Sequence, residues 1–287
     1  MNEFNFRSDS LLKTGMILQG HVCAIFQNSF DAAMENGFLL HFTTHTDRMH
    51  PLSVRLSCLP ELIHKGSRVQ FSGNFLTLSS DRNYIAEILN PDRRKNFTDI
   101  FRYTLAKEFI AISELPDHSE TFNFQKTSEV LARYIRCFGK HSEICESIFS
   151  DKQSVFSEYI ADISKKIQNK STVNLMEYMA HFGSGEGLTP AWDDFCVGIM
   201  LVDFRMKNKL ICLSNNFFEI LRRKTTEVSY WQVIFAHSGK SSLIFEKLAD
   251  MIVSGFLQKK EILSALNTGH TSGTDILSGM YLRLSGT

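Results

Sequence analysis

The sequence predicts an α+β protein: a β-rich domain, barrel- or sandwich-like, over residues 1–95, then a larger all-helical domain over residues 96–287. Three observations carry this. Between about Gly15 and Leu89, short apolar or alternating runs are broken by Gly, Asn, Asp and Pro, the punctuation of strands and turns. After Asn90-Pro91 the hydrophobic period lengthens from about two to about three and a half, the period of helices. No strand pattern alternates with those helices, so neither a Rossmann nor a P-loop sheet is expected.

Taken in order, Ile17 to Phe26 reads as a strand with a kink at Gly20. Glu35-Asn36-Gly37 is a turn signal ahead of Phe38 to Phe42, which makes a hairpin. Val54 to Leu56, Arg68 to Phe71, Phe75 to Leu78 and Tyr84 to Ile88 continue at the spacing of a small barrel or sandwich, with Gly66 and Gly73 bracketing one strand. Phe101, Leu105, Phe109 and Ile112 then share a helical face that Pro116 ends. The stripes Leu131/Tyr134/Ile135/Phe138, Phe156/Ile160/Ile163/Ile167 and Leu175/Tyr178/Met179/Phe182 repeat the pattern, and apolar residues at that spacing are core. Ser241-Ser242 reads as the cap of a helix carrying Ile244, Leu248 and Ile252.

Composition narrows the function classes. Thirty-one Lys+Arg balance thirty-one Asp+Glu, so the basic excess of a nucleic-acid binder is missing, and Arg93-Arg94-Lys95 reads as a solvated turn. The most apolar run, Phe195 to Phe204, is too short to span a bilayer and Asp203 interrupts it. The N-terminus carries acids and no apolar signal region. Six dispersed cysteines without a C-x-x-C pair read as free thiols in a reducing, cytoplasmic compartment. His41, His45 and His50 are close in sequence, but their spacing crosses a strand and a loop and matches no standard metal pattern. No hydrolase triad with a nucleophile elbow is readable.

Two segments break the bland pattern. In the first, Gly183, Gly185 and Gly187 alternate ahead of Thr189-Pro190, with Thr189 as N-cap and Pro190 as first helical residue. Free amides and the positive end of the helix dipole would converge there, a geometry suited to phosphate or carboxylate. Asp193 and Asp194 follow; adjacent helical residues point about 100° apart, so both acids in a buried helix need partners. Asp193 is explained by dipole compensation, whereas Asp194 has Gly198 one turn on, which leaves room beside its carboxylate for a ligand, water or metal. The second segment runs from Asn267 through Gly269, His270, Thr271, Ser272, Gly273 and Asp275 to Gly279. Asp275-x-x-x-Gly279 repeats Asp194-x-x-x-Gly198, so the loops at 183–194 and 269–275 are expected to line one cleft. A repeated helix-packing device would give the same pattern.

These residues, together with Thr225 to Ser229 and Ala236 to Gly239, resemble the AllH-type family, the oxamate carbamoyltransferase subunit associated with allantoin degradation. The resemblance extends more loosely to the β-rich start. It implies transfer of a carbamoyl group between carbamoyl phosphate and oxamate, giving oxalurate and phosphate, in a complex with partner subunits. The candidate catalytic residues are then Asp194, Asp193, His270 and Asp275, and the candidate ligand-binding residues Gly183, Gly185, Gly187, Thr189, Thr271, Ser272 and Gly273. Backbone amides would stabilise the oxyanion and cradle the leaving phosphate. Neither motif holds Lys or Arg, so Mg²⁺ or a partner subunit would neutralise the phosphate dianion, and no organic cofactor is expected. One departure is Trp192, which stands where the family usually has glycine and where the second loop keeps Gly273; an indole there is expected to narrow or reshape the pocket. The alternative reading is a non-catalytic subunit whose loops bind a metabolite or dock a partner, and a third is a purely structural role.

Overall fold

The computed structural model describes residues 17–45, 48–56, 59, 63–72, 75–79, 104–105, 124–150, 152–185 and 187–286. The chain divides into two compact units, Met1–Leu115 and Pro116–Thr287. The expected strand at 84–88, the Asn90-Pro91 boundary and the basic run at 93–95 lie outside the described residues.

In the first unit the strands are β1 (Ile17–Ile25), β2 (Ser29–Met34), β3 (Leu39–Thr43), β4 (Ser53–Arg55), β5 (Arg68–Ser72), β6 (Phe75–Ser79) and β7 (Thr104–Leu105). They form one seven-stranded sheet in the order β6-β5-β1-β2-β3-β4-β7, in which only β3 and β4 pair parallel. The Asn36-Gly37 signal makes the β2–β3 hairpin, with Gly37 at φ +86°. The register of β1 against β2 shifts between Val22 and Ala24, so the irregularity lies at Cys23 rather than at Gly20. Gly20 has a different role: a Cβ there would collide with the Ala33 carbonyl of the paired strand. Phe30 and Phe42 oppose each other across β2 and β3 and stack at 4.6 Å, both fully buried. One helical expectation fails here. Leu105 belongs to β7, paired with Val54, because its place in the ladder satisfies backbone groups that a helical stripe would leave out of the sheet.

The second unit holds α1 (Phe124–Phe138), α2 (Glu143–Phe149), α3 (Ser157–Gln168), α4 (Ala191–Arg205), α5 (Phe217–Lys224), α6 (Glu227–His237), α7 (Leu243–Ser254), α8 (Lys259–Leu266) and α9 (Ser272–Ser285). The Leu175 stripe forms a 3-10 helix, Leu175–His181, instead of an α-helix. Helix α4 starts one residue later than the sequence suggests, with Pro190 at the N-cap position. Ser242 does precede α7 as its N-cap, although its hydroxyl makes no capping bond there. The unit is not wholly helical. Two-residue strands β8 (Val173–Asn174) and β9 (Ile211–Cys212) pair parallel across the 3-10 helix and α4, too short for any hydrophobic pattern to reveal.

Helices α4 and α9 form the centre. Both are buried along almost their whole length, with apolar residues on every side of each helix and a few buried polar ones among them. A Cβ on Gly198 would overlap the Ile276 carbonyl, and a Cβ on Gly279 would overlap the Phe195 carbonyl. The two glycines are therefore the crossing point, each filled by the backbone that follows the other helix's aspartate. At the far ends, Arg283 Nε donates to Asp203 Oδ1 at 2.6 Å, and Asp203 also accepts from the amides of Leu210 and Ile211. That buried pair has its hydrogen bonds supplied from both sides, which is what makes a desolvated ion pair tolerable. It also fixes α4 and α9 as parallel neighbours: Asp203 lies near Arg283 just as Gly198 lies near Ile276.

Replacing Gly198 or Gly279 by Ala tests this crossing. Alanine raises intrinsic helix propensity by about 1 kcal/mol, whereas overpacking against backbone costs about 1–3 kcal/mol or more. We expect a lower melting temperature for both variants, read by thermal unfolding; an unchanged or raised value would show that the helices do not cross there.

Candidate functional site

The parallel crossing brings the N-terminal ends of α4 and α9 together. Thr189 Oγ1 and Ser272 Oγ, one from each loop, are 2.8 Å apart. Beneath them Asp194 is 1% exposed and Asp275 0%, and burial makes each carboxyl costly to ionise. The carboxyl of Asp194 is pushed well above the usual range, first by burial and next by the charge of Asp275, with the Ser272 and Thr189 hydroxyls acting the other way. Those hydroxyls bond each other, and neither Asp194 oxygen has a hydrogen-bond partner of good geometry among the described residues. Asp275 is pushed up to about 7 by burial, against the opposing Ser142 and Thr271 hydroxyls. Ser142 Oγ donates to Asp275 Oδ1 at 2.5 Å, while Oδ2 is left unbonded.

Asp193 has a different task. Its Oδ1 accepts from the Gly183 amide at 2.9 Å, and its Oδ2 accepts from the hydroxyls of Ser229 (2.6 Å) and Thr225. The dipole explanation is therefore too small. Asp193 ties the glycine loop to the start of α6, and Thr226 adds a second tie by donating to the Leu188 carbonyl while capping the Ser229 amide.

The loops themselves hold φ of +81° at Gly183, +123° at Gly185 and +90° at Gly187, conformations that side chains rarely adopt. Gly187 opens to space, whereas Gly183 is pressed against the Lys224 carbonyl and Gly185 against Ala191. Gly187 and Leu188 are exposed, and their amides donate to no group among the described residues. In the second loop the Gly273 amide is already committed to the Thr268 carbonyl, and a Cβ there would overlap the Ala265 carbonyl. Gly273 is thus a packing glycine. His270 and Gly269 are exposed at the rim, and Thr271 is half-buried.

Two expectations need correction. Gly198 leaves no room for a ligand beside Asp194, because the Ile276 carbonyl occupies that space. The Trp192 indole lies fully buried in an aromatic cluster, stacked on Phe156 at 5.3 Å and near Tyr159, Tyr178, His181 and Phe195. Its position next to Asp193 does not put it over the acids, since successive helical side chains diverge by about 100°.

Sequence reasoning missed the residues that arrive from α1 and α2. Ser142 caps α2 through the Cys145 amide and reaches Asp275 at the same time. Cys145, with its thiol pushed up to about 11 by burial and by Asp275, lies beside the same carboxyl. Lys140 Nζ donates to the Gly269 carbonyl at 2.6 Å, and its amide donates to Thr274 Oγ1. It supplies at the second loop the cation that neither motif contains. A serine ahead of an acidic first turn was the available signal for Ser142; nothing local marks Lys140.

These two loops and the helices that follow them coincide with a known family. Residues 181–284 match the family model of oxamate carbamoyltransferase subunit AllH. The matched segment opens just before Gly183, closes near the end of α9, and contains both aspartates, both crossing glycines and the Asp193 tie to α6. No curated protein and no solved structure matches the chain. Among the described residues no helix is long and apolar enough to cross a membrane. The five described cysteines are all free, and Cys58 lies outside the described residues.

The different partners of the acids in the matched segment give different stability signatures. Asp193→Asn puts an amide NH₂ among groups that can only donate or already donate, so it should destabilise by about 1–3 kcal/mol. Asp194 and Asp275 bind protons more tightly folded than unfolded, so their contribution is fully present below about pH 4 and is lost as pH rises through the raised values, near 7 for Asp275. Stability should therefore fall between about pH 4 and 8, and Asp194→Asn and Asp275→Asn should each flatten that slope. Chemical denaturation at several pH values reads both effects; a slope unchanged by either substitution contradicts the burial argument.

Proposed function

We propose that the AllH segment handles substrate for carbamoyl transfer between carbamoyl phosphate and oxamate, as one subunit of an oxamate carbamoyltransferase. The observation that carries this is the meeting of two parallel helix N-termini over Asp194 and Asp275, buried and coupled, with three carboxyl oxygens lacking partners. Buried acids with raised pKa values at a helix-end anion site are the form that proton-transfer sites take. The match to the family supports the subunit role, and its description as a subunit supports partner subunits completing the site.

The chemistry assigns distinct tasks. The amide nitrogen of oxamate attacks the carbonyl carbon of carbamoyl phosphate; the nitrogen loses a proton and the carbon–oxygen bond to phosphate breaks. Asp275, with its pKa about 7, is suited to accept that proton near neutrality. Asp194, whose buried surroundings favour the protonated form, is suited to donate a hydrogen bond to the carbonyl oxygen as charge develops there. The free amides of Gly187 and Leu188 offer donors to the phosphate or carboxylate, and Lys140 and His270 place basic side chains at the rim of the second loop. Substrate reaches the acids by parting the Thr189–Ser272 contact. Two carboxylates with unbonded oxygens also fit Mg²⁺, which takes one or two carboxylates beside a substrate phosphate; bound there it would neutralise the phosphate dianion. Asp193 and Gly273 are positioning residues in this scheme.

A second reading, metabolite binding without catalysis, rests on the deep burial of both acids. One experiment separates them. The chain is purified with its partner subunits, and release of phosphate and formation of oxalurate are followed for wild type and Asp194→Asn. We expect on the order of a hundredfold loss of rate with assembly and melting temperature retained. Normal rates in the variant would remove Asp194 from the chemistry; normal rates with weakened oxamate or phosphate binding would favour the second reading.

A further inference from the structure

The sheet of the first unit contains a polar cluster that carbamoyl transfer does not use. Asp31 of β2 and His41 of β3 are direct cross-strand partners, and they sit in strands otherwise filled with apolar residues. Asp31 is 2% exposed and His41 9%. Their contact, Nδ1 to Oδ1, is 2.5 Å. His50 comes from the segment between β3 and β4 and lays its ring 4.6 Å from that of His41, tilted by 37°. A reciprocal pair of bonds holds it there: the His50 amide donates to Ser53 Oγ at 2.7 Å, and the Ser53 amide donates to the His50 carbonyl at 2.9 Å. The His41 amide is itself bound to the Leu52 carbonyl at 2.9 Å, so the segment carrying His50 is fixed against β3. Each of the three residues offers a ligand atom, and those atoms all lie within 4.8 Å of one another.

We infer that Asp31, His41 and His50 form a binding site for a divalent first-row transition metal, with Zn²⁺ the ion that the donor set suits. Two imidazoles and one carboxylate are the ligand set of three-residue zinc sites, which keep a further position for water or another ligand. Zinc–nitrogen bonds of about 2.0–2.1 Å hold two ligating imidazoles with their ring centres roughly 5 Å apart, close to what the apo arrangement already has. The metal takes the place of the hydrogen bond between Asp31 and His41, and that contact opens by roughly 0.8 Å to admit it, because two ligand atoms about 2.0–2.1 Å from a tetrahedral ion stand about 3.3 Å apart. Such a movement lies within side-chain adjustment, because the ladder fixes both Cα positions. His45, the third histidine of the sequence cluster, is exposed and takes no part. The carboxylate comes instead from the neighbouring strand. This site lies in the first unit, and nothing in it depends on the proposed carbamoyl transfer.

The test uses the full chain stripped with a chelator and titrated with Zn²⁺. Wild type should retain one equivalent after dialysis and melt at a higher temperature when loaded. His50→Gln should weaken binding by more than the roughly 10–100-fold that loss of an outer-shell partner costs. X-ray absorption at the zinc edge of loaded wild type needs no variant and should show nitrogen and oxygen ligands with two imidazoles. Absence of stoichiometric binding, binding unaffected in folded His50→Gln, or sulfur in the first coordination sphere would each overturn the assignment. The sulfur outcome is informative because the sequence holds six cysteines that compete for zinc.

Discussion

Helices α4 and α9 approach until the backbone of each fills the place of a side chain on the other. Gly198 against Ile276 and Gly279 against Phe195 are the same contact made twice, and the placing of Asp194 near Asp275 follows from it. Because the helices run parallel through a glycine crossing, both N-terminal turns end at one place. The acids four residues before each glycine are then brought together whether or not their charges favour it. A residue with a Cβ at either position would move the helices apart and remove the coupling between Asp194 and Asp275.

The four buried aspartates of this pair of helices show how differently one side chain can be treated. Asp203 meets Arg283 and two amides, so its charge is matched. Asp193 meets one amide and two hydroxyls, which favour the charged form while burial opposes it. Asp275 keeps one bond, to Ser142, and Asp194 keeps none of good geometry. Stability alone would replace the last two by apolar side chains, since a buried carboxyl without donors costs free energy and returns no structural contact. The unbonded carboxyl oxygens belong to Asp194 and Asp275, below the contact between the two loops, while Asp193, one residue from Asp194, is fully bonded. Two neighbouring buried acids with unbonded oxygens and raised pKa values are a combination that functional sites favour.

Much of this was legible in sequence, and the failures have physical causes. The change of hydrophobic period gave the two textures of the chain, and the repeated Asp-x-x-x-Gly pattern gave the pairing of the loops. Period could not separate the 3-10 turn at Leu175 from an α-helix, since both bury positions three apart. It could not detect β8 and β9, where two residues carry no pattern. The meaning of Gly198 was inverted: a glycine beside an acid reads as space for a ligand, and only three dimensions show that another backbone fills it. Ser142, Lys140 and Asp31 were missed for one reason. Each joins its site through tertiary contact, with Ser142 and Asp275 separated by more than a hundred residues. A local rule marks Ser142 as a helix cap, but none places any of the three at its site.

The electrostatics of the paired loops constrain what can bind there. Two helix N-termini together present roughly one unit of positive partial charge, as much as one side-chain cation. Two ionised carboxylates beneath them would more than cancel it, so an anionic substrate is favoured only when the pair is at least partly protonated or bridged by a cation. Burial and the charge of Asp275 push Asp194 well above the usual carboxylate range, and burial brings Asp275 up to about 7. An arriving anion adds negative potential and raises both values further, so binding of the anion and uptake of a proton favour each other. Departure of the anion would reverse that and favour release of the proton from Asp275. In this way the arrangement that disfavours two buried acids also makes the charge of the site respond to what occupies it.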